Sequence, residues 1–203
     1  MKAALPLIVL AVFFLASAYF AEAYTEELTS FIGTGVSGIL VYIGLAALGT
    51  VIAPLSSLPF MPLATALWGP VVAALASQVG WGIGGVIAFA LSRTYGRPLV
   101  ERIISRERLA RAEKRIPRER QFWSIALLSM TLPTDVVSYT LGLFRNVRWR
   151  TYVPAMLLGN MPFSFVFAYT GALPFGYQAA LVPVVVLIVL LWSARKPASV
   201  AQP

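Results

Sequence analysis

A single carboxylate lies inside an otherwise apolar stretch of the sequence. Asp135 is the only acidic residue between Phe122 and Phe144. An ionised side chain at membrane depth costs roughly 3 kcal/mol or more, so such a residue usually faces a polar cavity or a partner. Asp135 is therefore a candidate for proton uptake and release during transport. The alternative is a capping role, because Asp135 follows Pro133 and could cap a helix that begins there.

Arginines that directly follow this stretch, and two others further upstream, could bind phosphate. Arg145 and Arg148 follow it directly, and a guanidinium group can hold a phosphate through two parallel hydrogen bonds. Arg93 and Arg97 are one helical turn apart and form a second candidate site for an anionic headgroup. The alternative for all four is the positive-inside bias of cytoplasmic segments, which needs no ligand.

Several kinds of chemistry are excluded by the residue types that the chain lacks. It contains no cysteine and no histidine, which removes disulfides, thiol nucleophiles and imidazole ligands. No phosphate-binding loop, metal-binding cluster or serine nucleophile motif is present. The basic segment 93–120 is short, has interleaved glutamates and contains no nucleic-acid-binding motif. We therefore expect no enzyme, no cofactor, no metal and no nucleic-acid partner.

The composition predicts an all-α, polytopic integral membrane protein. The chain has 203 residues, of which 59% are hydrophobic and only 12% charged, and its mean hydropathy is +0.79. Soluble domains carry about twice that share of charged residues. The apolar residues occur in blocks of roughly 18 or more, long enough to cross a hydrocarbon core of about 30 Å. The net charge of +8 suits contact with anionic lipid headgroups.

The apolar blocks divide the chain into three parts. Residues 1–34 predict a transmembrane helix followed by an acidic outer segment, although a cleaved signal peptide is an alternative. Residues 35–175 predict the main membrane domain, and residues 176–203 a last helix with a short tail. Within the main domain we expect helices over about 70–92 and 150–173. We expect Gln78 and Asn160, which are polar residues inside these helices, to hydrogen-bond between helices.

The stretch 121–144 predicts a hairpin that enters and leaves the membrane on one side. Pro133 interrupts it, and proline cannot continue a helix without losing a hydrogen bond. Both flanks are basic, with Arg120 before it and Arg145 after it. Since basic flanks favour the cytoplasmic side, both ends should lie on that side.

The stretch 36–67 contains three prolines, Pro54, Pro59 and Pro62. Irregular backbone at membrane depth survives only inside protein or beside a wet cavity. The stretch therefore predicts either two short crossings or a second hairpin. Because Lys2 and Arg93 should both be cytoplasmic, the stretch crosses either twice or not at all, and its prolines favour a hairpin from the outer side. Two re-entrant hairpins would then enter from opposite faces, as in transporters with discontinuous helices.

Three motifs in this order resemble the DedA superfamily, also called the SNARE-associated Golgi protein or VTT-domain group. Residues 84–97 are similar to its glycine-rich helix ending in Arg-x-x-Gly-Arg. Residues 133–143 are similar to its Pro-x-Asp-x-Val-x-Tyr-x-x-Gly hairpin, which includes Gly142. Gly159 and Pro162 match its Gly-x-x-Pro helix. Members commonly carry an arginine shortly before the hairpin proline, whereas residues 126–132 contain none.

The resemblance implies lipid handling, by a scramblase or by a flippase for polyprenyl-phosphate carriers. It implies two opposed re-entrant hairpins and an acidic residue for proton coupling, which here is Asp135. In the absence of the family arginine, we expect Arg93, Arg97 or Arg145 to partner that carboxylate. Two other classes remain: a proton-coupled transporter of small or cationic solutes, and a non-transporting assembly factor that binds partners through Gly80, Gly84 and Gly85. The partners would be membrane lipids, a homo-oligomer is left open, and the expected location is a prokaryotic plasma membrane.

Overall fold

The computed structural model describes residues 4–32, 35–52, 58–96 and 120–195, and no strand occurs among them. The predicted all-helical fold is therefore confirmed. Pro54 and Arg97 lie outside the described ranges. The helices, numbered in chain order, are α1 Ala4–Ala23, α2 Thr25–Ile32, α3 Val36–Val51, α4 Met61–Leu91, α5 Gln121–Thr131, α6 Thr134–Gly142, α7 Trp149–Gly171 and α8 Phe175–Arg195.

Helix α4 consists of two arms that fold back on each other at Gly69. This glycine has φ 77° and ψ 164°, a backbone conformation that residues with a Cβ rarely adopt. Pro70 follows and suits the first turn of the next helical arm. A straight helix would separate Met61 from Ser77 by about 24 Å, yet the Met61 sulfur lies 3.3 Å from the Ser77 hydroxyl oxygen. The arm 61–68 therefore returns beside the arm 70–91.

Helix α3 runs in the same direction as the arm 70–91 and packs closely against it. Tyr42 contacts Ser77 near the middle of α3, while Thr50 contacts Gly84 near its C-terminal end. A Cβ at Gly84 would lie 2.5 Å from the Ala47 carbonyl oxygen, so only glycine allows this approach. We call α3 together with the arm 61–68 the first hairpin. The two run in opposite directions, because α3 is parallel to the arm 70–91 and the arm 61–68 is antiparallel to it.

Helices α5 and α6 form the second hairpin, which reverses at Pro133. Leu132 and Pro133 are extended, as the residue before a proline prefers, and they separate the two helices. The open ends meet, because Gln121 Nε2 donates to the Asn146 carbonyl oxygen at 3.0 Å. A continuous helix would place these residues about 37 Å apart. The stretch thus begins and ends on the same side of the bundle.

Helix α7 lies against both α4 and α5 and completes the main core. Gly159 packs on α5 so closely that a Cβ there would collide with the Ala126 carbonyl oxygen. The predicted interhelical hydrogen bonds are present: Gln78 Nε2 donates to the Leu157 carbonyl at 2.6 Å, and Asn160 Nδ2 donates to Thr134 Oγ1 at 2.9 Å. Pro162 lies within α7 and is exposed.

Two helical stretches are apolar and long enough to cross a membrane, Leu58–Gly96 and Trp149–Gly171. The first includes the reversal at Gly69, so the part of it that is long enough to cross is the arm 70–91, about 33 Å at 1.5 Å per residue. Pro59 lies in the 3-10 turn Leu58–Phe60 that opens this stretch, and Pro62 is buried in the first turn of α4.

The first and last helices pack together at the edge of the bundle. Phe14 and Ala18 of α1 are buried, and the Phe14 ring meets Phe167 of α7 edge-on at 6.1 Å between centroids. Glu22 Oε2 accepts a hydrogen bond of 2.7 Å from the backbone N–H of Phe175, at the start of α8. A carboxylate is favoured at the positive end of a helix. Helix α1 is therefore part of the packed structure.

Candidate functional site at the second hairpin

Helix α6 is held against α4 by its buried face. Gly142 lies so close to α4 that a Cβ there would be 2.6 Å from the Phe89 carbonyl oxygen. The Ser92 hydroxyl donates to the Tyr139 carbonyl at 2.5 Å. Val137 and Ser138, on the same face, are almost completely buried. The return arm of the second hairpin is therefore fixed along the full length of α6.

Arg93 secures the end of this arm. Its Nη2 donates to the carbonyl oxygens of Phe144 at 2.7 Å and Val147 at 2.8 Å, and its Nε donates to Gly142 at 3.4 Å. The guanidinium carbon also lies 4.4 Å from the centre of the Phe89 ring. The last carbonyls of a helix lack partners within the helix, and a cation is favoured there. Arg93 thus joins α4 to the end of the second hairpin.

This placement changes what can be expected of Arg93. The sequence predicts it as a headgroup ligand beside Arg97, and that role stays a prediction. The hydrogen bonds to three carbonyls were not foreseen, since the acceptors lie about 50 positions further along the chain. No local pattern around Arg93 identifies such partners. The π-helical turn Ser92–Gly96, which continues α4, positions the side chain for these bonds.

A polar cluster fills the junction of α4, α6 and α7. The Tyr152 hydroxyl lies 2.6 Å from Ser138 Oγ and 3.1 Å from the carbonyl oxygen of Gly85. Ser138 Oγ in turn donates to the Thr134 carbonyl at 2.5 Å. A Cβ at Gly85 would be 3.1 to 3.2 Å from three of these side chains, so the glycine makes room for the cluster. Burial of these polar groups is tolerated because each has a partner.

Asp135 lies in the first turn of α6, next to the hairpin tip, and is half-buried. The N-cap position is occupied by Pro133, and no side chain caps the helix, so the alternative capping role of Asp135 is not formed. A carboxylate in the first turn still interacts favourably with the helix dipole. Among the residues of the described ranges, Asp135 has neither a hydrogen bond nor an ion pair, and neither Arg93 nor Arg145 partners it.

Arg145 and Arg148 lie at the opposite end of the hairpin from Asp135. Both are exposed, Arg145 in the turn after α6 and Arg148 directly before α7. Arg93 binds carbonyls in the same turn. The structure therefore brings three of the predicted headgroup ligands to the open end of the hairpin. From Asp135 to the end of α6 at Gly142 the helix rises about 10 Å at 1.5 Å per residue, and Arg145 and Arg148 lie beyond that end.

The model of the VTT domain matches residues 53–173. The chain belongs to the VTT-domain family. This is the domain of the DedA/SNARE-associated Golgi protein family, whose members are membrane proteins, and the predicted resemblance is thereby confirmed. No curated protein and no solved structure shows a significant match to the chain. The matched region contains the arm 61–68, both long helices and the whole second hairpin, while α1, α2, α3 and α8 lie outside it.

Proposed function

We propose that this protein moves the polar headgroup of a phospholipid or a polyprenyl-phosphate lipid between the two leaflets of its membrane. The second hairpin carries this proposal, because it returns to the side where it began and holds Asp135 beside its tip. Membership of a membrane family often linked to transport supports it.

The hairpins would supply the path for the headgroup. If both hairpins are re-entrant, their tips end within the bilayer, and the bilayer would be locally thinned around the tips. The headgroup would cross beside α6 while the acyl chains stay in the surrounding lipid. The exposed apolar side chains on the outer surface, such as Val136 and Leu127, are compatible with lipid at this position. The cost of crossing falls because the headgroup never enters a full thickness of hydrocarbon.

The charged residues would act at two places in the second hairpin, its open end, which we call the mouth, and its tip. Arg145 and Arg148 would bind the phosphate at the mouth, where both side chains are exposed. Asp135, about 10 Å further in, would take up a proton when the headgroup approaches and release it afterwards. A carboxylate with no partner in the described part of the chain is suited to this exchange, since no ion pair must be broken first. The membrane would be the plasma membrane of a prokaryote.

Reconstitution in liposomes tests the proposal. A fluorescent phospholipid is placed in both leaflets, and an impermeant reductant bleaches the outer leaflet. We expect bleaching to proceed beyond the outer half with wild-type protein and to respond to an imposed proton gradient. Liposomes that stay half-bleached for both a phospholipid and a polyprenyl phosphate, with and without the gradient, would contradict the proposal.

A proton-coupled transporter of small or cationic solutes would use the same carboxylate, and solute uptake into the same liposomes distinguishes it. The assembly-factor alternative loses its proposed surface. Gly80 and Gly84 are covered by α3, and Gly85 is covered by α6 and α7. These glycines serve packing inside the chain, so they offer no face to a partner protein.

A further inference from the structure

The side of α6 that carries Asp135 also carries Tyr139. The two residues are four positions apart and therefore lie on one flank of the helix. Both are half-buried, whereas Ser138 and Leu141 face the core, and Val136 and Thr140 are exposed. Helical side chains lean toward the N-terminus of their helix, so the Tyr139 ring extends toward the turn that contains Asp135.

The Tyr139 hydroxyl reaches the first hairpin. It donates to the backbone carbonyl of Val51 at 2.6 Å, across 88 positions of the chain. Val51 is the last residue of α3, and the final carbonyls of a helix have no acceptor role within it. Within the described ranges, no other hydrogen bond joins the first hairpin to the second. The two hairpins therefore meet at a contact between one side-chain hydroxyl and one helix end.

Two tyrosines of the bundle are buried and differ from Tyr139 in their environment. The Tyr42 and Tyr152 hydroxyls each lie 2.6 Å from a serine oxygen, and both rings are buried. Tyr139 is half-exposed and bonds to a carbonyl at a helix end, which can bind water when the bond breaks. The contact between Tyr139 and Val51 can therefore open without leaving a buried polar group unpaired.

We propose that Tyr139 is the gating residue of the transport path, and that its hydrogen bond to Val51 closes the passage between the two hairpins. Opening this contact separates the end of α3 from α6 and exposes the flank that holds Asp135. A phosphate oxygen of an entering headgroup competes for the same hydroxyl, because a charged acceptor binds a donor more strongly than a neutral carbonyl does. This inference rests on the proposed function and adds the contact that controls it.

The first test removes only the hydroxyl. In the liposome assay without a proton gradient, Tyr139→Phe should exchange the labelled phospholipid about fivefold faster than wild type, the factor that corresponds to one hydrogen bond. Tyr152→Phe is the matched control, since it removes a tyrosine hydroxyl from the same hairpin region without touching Val51. Its exchange rate should stay at the wild-type level. Equal rates for wild type and Tyr139→Phe would overturn the gating role.

The second test links the hairpins covalently. The chain has no cysteine, so Ile52→Cys with Thr140→Cys introduces the only two thiols, one beside each contact residue. A short reducible thiol cross-linker should stop lipid exchange, and reduction should restore it. Cross-linking yield should fall about fivefold when Tyr139→Phe is added and stay unchanged with Tyr152→Phe. Full exchange by the cross-linked protein would contradict the gate.

The two proposals fail in distinguishable ways. If wild type moves no lipid, the proposed function is wrong and the gate with it, and the cross-linking yields then report only whether Tyr139 holds the hairpins together. If wild type moves lipid but neither Tyr139→Phe nor the cross-link changes the rate, the proposed function stands and the gate is wrong.

Discussion

The two hairpins reverse the chain in similar ways but are stabilised by different interactions. The described residues of the first hairpin include no charged side chain, and it is held by Tyr42, Ser77 and Met61 together with glycine packing against α3. The second hairpin is held by the Arg93 side chain at its end and carries Asp135 at its tip.

The comparison separates what folding requires from what function requires. The described part of the first hairpin packs through small residues and a few neutral hydrogen bonds, without a charged side chain. A carboxylate at the tip of the second hairpin adds a desolvation cost that the reversal does not demand. This difference supports the proposal that Asp135 serves transport and not architecture. Four predictions test the comparison, ordered from the largest expected effect to the smallest.

Close packing should matter equally in both hairpins. Gly84→Ala places a Cβ of α4 2.5 Å from the Ala47 carbonyl oxygen of the first hairpin, and Gly142→Ala places a Cβ of the second hairpin 2.6 Å from the Phe89 carbonyl oxygen of α4. We expect each to lower the free energy of unfolding by about 3 kcal/mol, because backbone cannot move aside cheaply. Gly44→Ala is the control, since nothing lies within 4 Å of its Cβ position. Thermal unfolding in detergent, followed by tryptophan fluorescence, measures all three. If Gly84→Ala left the free energy of unfolding unchanged while Gly142→Ala lowered it, the two hairpins would not depend equally on close packing.

The side chain of Arg93 should matter only to the second hairpin. Arg93→Ala removes the donors for three carbonyls and should destabilise the protein by about 2 kcal/mol. Arg93→Lys should recover only part of this, because an ammonium group lacks the planar fork. Arg150→Ala, at an exposed position nearby, is the control. The rate of proteolysis or of hydrogen exchange should increase within residues 134–147 and stay unchanged elsewhere. A uniform increase across α3 as well would show that Arg93 stabilises the whole bundle.

Asp135→Asn should separate transport from stability. We expect lipid exchange driven by a proton gradient to fall about tenfold, equivalent to roughly 1.4 kcal/mol. The unfolding temperature should change little, because the carboxylate has no hydrogen-bond or ion-pair partner in the described part of the chain and its interaction with the helix dipole contributes only about 0.3 to 1 kcal/mol. Glu26→Gln, a neutralised exposed carboxylate in α2, should change neither quantity. A loss of stability with unchanged transport would assign Asp135 to the fold and remove the contrast between the hairpins.

The smallest effects should come from two matched tyrosines. Tyr42→Phe and Tyr152→Phe each remove a buried hydroxyl that lies 2.6 Å from a serine oxygen. Each should cost about 1 kcal/mol of unfolding free energy, and the double variant about the sum, because the two sites share no partner. Wild type, the two single variants and the double variant form a double-mutant cycle. Chemical or thermal denaturation measures the free energy of unfolding of each. A coupling well above 0.5 kcal/mol would indicate that the two hairpins are not independent.

The sequence predicts the second hairpin well because its signals are local. Pro133 interrupts an apolar stretch, and the basic flanks place both ends on one side before any contact is known. The boundary within α4 was also predicted, because the stretch 36–67 ends and the helix 70–92 begins there; the structure places the turn at Gly69, where a glycine with positive φ is followed by Pro70. The Gly69-Pro70 pair is the local turn signal for this boundary.

The contacts of the site were mostly beyond sequence analysis because they join distant segments. The hydrogen bonds of Arg93 and of Tyr139 connect residues about 50 and 88 positions apart, and neither has a local pattern. The sequence did identify Asp135 as unusual, because a carboxylate in an apolar stretch stands out without any knowledge of its neighbours. The hairpin prediction also put Arg145 and Arg148 at the end away from Pro133, whereas the contacts of Arg93 with that same end could not be foreseen.

The central claim is that the second hairpin enters and leaves on one side of the membrane, and cysteine accessibility tests it most directly. Arg120→Cys, Arg145→Cys and Gly176→Cys are made singly and labelled in sealed, oriented vesicles with an impermeant maleimide. We expect positions 120 and 145 to react from the same side and position 176, beyond the far end of α7, from the opposite side. Reaction of 120 and 145 from opposite sides would contradict the account.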